Sequence, residues 1–141
     1  MNLHTLLCEF PAWLTVRLLN GLGMEVLREG SHILYKDAAW GYEIIVECSG
    51  VKSVAVLAFV SLFYGIATLR TFPKIILFTL GSVPVAYGFN LLRLMGVVCA
   101  GHWFGQEAST WFHTVSGYVF FFLAVTLMHG WAERMKKVAP R

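Results

Sequence analysis

Cys48, Arg93 and His113 are the three side chains whose types could together do chemistry in this chain. A cysteine thiolate can attack a carbonyl, an imidazole can hand a proton to the leaving amine, and a guanidinium can steady the oxyanion, which is the outline of acyl transfer. Cys48 ends the apolar run Ile44-Ile45-Val46-Glu47 and is followed by Ser49-Gly50. If Ser49 caps a helix starting there, the sulfur lies at the positive end of that helix with Lys52 one turn along, and both favour the thiolate. Asn90 stands three residues before Arg93, so amide and guanidinium share a helix face. His113 follows Trp111-Phe112 at the start of an apolar stretch. Each residue also has a plainer reading: a small apolar cysteine in a turn, a snorkelling arginine, a histidine anchored among interfacial aromatics. What separates the two readings is whether the elements that hold these residues bring them to one place.

Those elements are membrane helices. Of 141 residues, 57% are hydrophobic, 15% aromatic and only 13% charged, against roughly 25% charged in soluble domains. The fold class expected is therefore an all-α polytopic membrane protein. Val51 to Leu69 reads as a first span, Lys74 to about Ala100 as a second, and Trp111 to Trp131 as a third, with Gly101 to Thr110 as a polar loop. The second stretch exceeds the ~20 residues of one crossing, so its last turns should emerge from the bilayer. Basic residues Arg70 and Lys74, and the tail Arg134, Lys136, Lys137 and Arg141, fall on one side of this three-span arrangement. By the positive-inside tendency that side is cytoplasmic. Cys48, Arg93 and His113 then all lie at the extracytoplasmic surface, delivered by three separate segments.

The region before the spans is less regular. Leu3, Leu6, Leu7, Phe10, Leu14, Leu18, Leu22 and Val26 recur at helical spacing, which predicts an N-terminal amphipathic helix, lying in the interface or crossing as a fourth span. Ser31 to Lys36 and Tyr42 to Val46 predict a short extracytoplasmic β-hairpin ending at Cys48. Its open edges keep it outside the hydrocarbon. The expected organisation is a single membrane domain over 1–141: helix 1–29, hairpin and cysteine turn 30–50, three-helix core 51–133 and basic cytoplasmic tail 134–141. No cleavable leader is expected, because Glu9 and Arg17 interrupt its apolar region.

Composition also narrows the function classes. The formal charge of +3 is small and forms no stripe, so no nucleic-acid partner is expected. The three cysteines, Cys8, Cys48 and Cys99, lack CxxC spacing, which argues against a disulfide framework, a zinc site or a thiol redox protein. The acyl-transfer chemistry requires no metal and no organic cofactor. Cys99, almost two turns beyond Arg93, reads as packing, and His129 falls at the opposite end of the third span.

Cys48-Ser49-Gly50 opening one span, Asn90-x-x-Arg93 ending the next and Phe112-His113 opening the third resemble the exosortase/archaeosortase family of membrane transpeptidases. The resemblance covers roughly residues 30–131. It implies a short family member acting as a cysteine protease or transpeptidase on the C-terminal sorting signal of secreted or surface proteins. That signal is tripartite: a short motif, a membrane helix and a basic tail, cut at the outer face of the cytoplasmic (inner) membrane. Carried over by motif, Cys48 is the nucleophile, Arg93 the oxyanion or substrate partner and His113 the general acid/base. Asn90, Ser49 and Lys52 support the site. The competing expectation is a non-catalytic membrane subunit or assembly factor, working with an additional membrane subunit, in which the same three residues pack or snorkel.

Overall fold

The computed structural model describes residues 3–36, 41–43 and 50–138 of the chain, without the side chains of 3–8 and 42–43. Four helices and three short strands follow in the order α1 (Leu3–Gly21), β1 (Val26–Glu29), β2 (His32–Tyr35), β3 (Gly41–Glu43), α2 (Val51–Thr68), α3 (Phe72–Phe104) and α4 (Gln106–Lys137). The last three helices are long and apolar enough to cross a membrane, at 18, 33 and 32 residues. The chain is thus a multi-pass membrane protein, as its composition predicts. α3 packs along both α2 and α4, with Leu57, Phe78, Ala86, Ala124, Met128 and Ala132 buried between them.

At ~1.5 Å per residue α3 is about 50 Å long, well beyond the ~30 Å hydrocarbon thickness. A crossing that begins at Lys74 is complete by about Leu94, so the turns that follow protrude. Those turns carry a second core. Leu94 and Val98 of α3 pack with Ala12, Val16 and Leu19 of α1 and with Val26, Ile33 and Tyr35 of the sheet. The sheet is antiparallel in the order β1-β2-β3, and the Tyr35 hydroxyl donates to the Val98 carbonyl at 2.8 Å, tying it to α3. Burial pushes the Tyr35 phenol up to about 12, with Cys99 adding to the shift. Cys99 itself lies 3.6 Å from the Met24 sulfur, in packing as expected.

Several expected boundaries move. The N-terminal helix stops at Gly21 rather than near Leu27, because Gly23 turns the chain at a φ of 88° and Asn20 then clamps Val26. The Asn20 amide donates to the Val26 carbonyl at 3.1 Å, and its oxygen accepts from the Val26 N–H at 3.0 Å. Val26 and Leu27 therefore belong to β1, which pairs with β2 around Gly30 and adds a strand to the expected hairpin. The packed face of α1 also differs from the bulky leucine stripe. Ala12, Thr15, Val16 and Leu19 are buried, while Phe10, Leu18 and Leu22 stay exposed. Smaller side chains let α1 approach α3 closely, and the bulky row is left for an apolar surrounding. The polar loop expected over 101–110 reduces to Gly105, at φ 88°, between two helices that both continue to it.

Candidate functional site

The site lies where the two cores meet. Asn90 and Arg93 are one turn apart on α3, just before the protruding segment, and His113 is on the second turn of α4. The register between α3 and α4 is fixed on the outer side of the site. Gly96 lets the Phe112 ring sit against α3, so that any Cβ there would meet it at 2.5 Å. The buried Ser109 hydroxyl donates to the Val97 carbonyl at 3.2 Å. With that register set, Arg93 reaches across to His113. One terminal nitrogen, Nη2, lies 3.1 Å from Nε2 of the imidazole and 3.0 Å from the His113 carbonyl oxygen. The same nitrogen lies 3.4 Å from Nδ1, so the guanidinium sits across the imidazole and is not aligned with one ring lone pair.

The third wall comes from the start of α2. Gly50 is the N-cap of that helix, with φ 91° and ψ −9°, a left-handed conformation that a residue with a Cβ adopts only under strain. A Cβ at Gly50 would also meet the Asn90 amide nitrogen at 2.8 Å. The chain entering α2 is therefore packed directly on Asn90, one turn from Arg93. Asn90 is buried at 4% exposure, so the amide is an internal support rather than a surface group. The expected capping by Ser49 is corrected in this respect, because the cap position belongs to Gly50. Cys48 and Ser49 themselves lie outside the described residues. Lys52 is exposed on the first turn of α2.

Two further residues shape the site that sequence reasoning passes over. Gly117 is one turn beyond His113, and a Cβ there would lie 3.3 Å from both Cζ and Nη2 of Arg93. The guanidinium thus lies flat against a bare stretch of α4. Ser53 faces it from α2, across a cavity of about 20 Å³ bounded also by Asn90, Arg93 and Phe120. That is room for about one water molecule. The Arg93 Nε is buried and has no hydrogen-bond partner among the described residues. The signal for Gly117 was available: a glycine four residues after a candidate histidine lies on the same helix face.

Two other histidines fall elsewhere. His102 stacks near Tyr35 at 5.8 Å between ring centres and belongs to the sheet contact. His129 pairs with the Tyr64 hydroxyl at 2.5 Å, at the far end of α4. Among the described residues no three of His, Cys, Asp and Glu gather closely enough to hold a metal ion.

Arranged this way, Arg93 has one terminal nitrogen against the His113 imidazole and its carbonyl oxygen, so a cation and a titratable ring share one corner of the bundle. Comparison with known families gives a match to Transmembrane exosortase (Exosortase_EpsH) over residues 2–130. No curated protein and no solved structure matches the chain.

Proposed function

We propose that this chain, which belongs to the transmembrane exosortase family, is a cysteine peptidase or transpeptidase acting on the C-terminal sorting signal of secreted proteins. The observation that carries the reading is the contact of Arg93 with His113 beside Asn90, on which the start of α2 is packed. Chain connectivity keeps the Cα of Cys48 within about 7 Å of the Gly50 Cα. That tether allows the Cys48 thiol to be brought to the Asn90 corner.

The chemistry follows from the groups available. His113 takes the Cys48 thiol proton, and the thiolate attacks the substrate carbonyl carbon, forming a C–S bond and a tetrahedral oxyanion that an Arg93 N–H stabilises. Collapse breaks the C–N bond, and His113 supplies the proton that the leaving amine takes, leaving a thioester. An acceptor amine or water then attacks the thioester, gives its proton to His113 and releases the cysteine. On this reading Asn90 holds the α2 start and Gly117 seats the guanidinium. Orientation follows from the basic residues: Arg70, Lys74 and the 134–137 run face the cytoplasm, and the site opens at the extracytoplasmic face of the inner membrane.

The test is labelling of Cys48 in intact cells with a membrane-impermeant thiol reagent, in a background lacking Cys8 and Cys99. Fast labelling that slows in His113→Ala and Arg93→Ala is expected. Slow labelling indifferent to both, together with full processing by Cys48→Ala, overturns the reading in favour of a non-catalytic subunit.

A further inference from the structure

At the end of the bundle opposite Arg93 and His113, the α2–α3 turn and the last turns of α4 enclose a second, chemically different recess. Its volume is about 350 Å³, and Thr68, Arg70, Thr71, Lys74, Met135 and Lys136 line it. Three of these are cations, brought together from segments more than sixty positions apart. The two sides are tied, since Lys74 Nζ donates to the Met135 carbonyl at 2.9 Å. Among the described residues one carboxylate, Glu133, pairs with a lining cation, Lys136, at 2.5 Å, so the recess keeps a positive excess. Thr71 is the N-cap of α3 and makes no side-chain cap hydrogen bond, which leaves its hydroxyl and the positive end of α3 at the same recess. Depth places it at a membrane surface: from Arg93 back to Lys74 the helix rises about 28 Å, close to one hydrocarbon thickness.

We propose that this recess binds the phosphodiester headgroup of an anionic membrane lipid. A phosphate needs several donors around a small volume. Two Lys ammonium groups, an Arg fork, a threonine hydroxyl and a helix N-terminus provide them. Basic recesses between membrane helices at the headgroup level suit this ligand class. Topology alone would be served by scattered charges, as Arg134 and Lys137 are, both exposed on α4 outside the recess. Lys74 is instead drawn half-buried into a concavity and tied to the neighbouring helix. The acyl chains of the bound lipid would run along the apolar faces of α2 and α3, where Ile66, Phe72 and Ile76 are exposed.

The test is native mass spectrometry of the purified full chain, released from micelles containing equal amounts of phosphatidylglycerol and phosphatidylcholine with the same acyl chains. One phosphatidylglycerol should be retained in clear preference to phosphatidylcholine. The double variant Arg70→Gln/Lys136→Gln should lower that retention by about fivefold per charge removed, whereas Arg134→Gln/Lys137→Gln should keep it. The charge-preserving Arg70→Lys/Lys136→Arg should also keep it, which separates loss of the ligand from loss of the fold. Equal retention of the two lipids, or an equal loss in both Gln doubles, overturns the proposal. Displacement of the lipid by millimolar inorganic phosphate would do so too, since the recess would then be a site for the free anion. None of these readouts depends on peptidase activity.

Discussion

α4 carries two histidines, each held by a side chain from another helix, and the two ends they mark have little else in common. His113 meets a cation, Arg93, which also holds its backbone carbonyl and lies on bare Gly117. His129 meets a phenol, Tyr64, beside an apolar recess bounded by Leu57, Phe78 and Met128. Along the helix the two lie about 24 Å apart. The first is arranged around charge, with a buried Arg93 donor that has no partner among the described residues. The second is a phenol–imidazole contact beside an apolar recess, with no charged side chain among the described residues lining that recess besides the histidine. A histidine within a span is a functional candidate by default, but what decides the matter is whether its partner leaves chemistry open.

The comparison is broken most severely by changes at the first histidine. His113→Ala should lower substrate processing by ~10²- to 10⁴-fold, and Arg93→Ala by ~10²- to 10³-fold, measured as precursor cleavage at matched protein level. Gly117→Ala leaves every reactive group in place but obliges the guanidinium to shift by a few tenths of an ångström. Processing should then fall about tenfold, short of the ~10²-fold that a 1 Å misplacement can cost. If Gly117→Ala is silent, the seat on α4 is not what positions Arg93. Tyr35→Phe, which removes the tie between sheet and α3, should cost about 1 kcal/mol in the stability of the outer core. Because the folded phenol titrates near 12 instead of 10, its contribution is complete below pH 10 and fades as pH rises toward 12. Tyrosinate absorbance alongside thermal unfolding checks this. Smallest of all, Tyr64→Phe or His129→Ala should change processing by less than about twofold, the range for changes away from a site.

The three spans, and the depth shared by Arg93 and His113, were legible because long apolar runs and their charged borders report helix length and position directly. The boundaries near Leu27 and across 101–110 were not. Val26 fits the helical stripe as well as a strand, and the turn at Gly23 together with the Asn20 clamp on the Val26 backbone decides against the helix. Residues 101–110 look polar, yet α3 outruns the bilayer and stays helical in the protruding turns because α1 and the sheet pack on it. The buried face of α1 was missed for a related reason. Size, and not hydrophobicity alone, selects which row of residues approaches a neighbouring helix, so Ala12 and Thr15 displaced Leu18 and Leu22. At the site, the residue types Arg93 and His113 were readable, whereas their contact depends on Phe112 seated over Gly96.

The single-residue junction at Gly105 has a consequence for the order in which the molecule assembles. The Arg93 to His113 contact spans 20 positions of sequence, and the Tyr35 to Val98 contact spans 63. Contacts that close short loops form early, and those that close long ones wait. α3 and α4 should therefore pair as one antiparallel unit, with arginine and histidine already facing each other, before the sheet docks on the protruding turns. The slow step of maturation would then be the arrival of the N-terminal third on a half-site that is waiting for it.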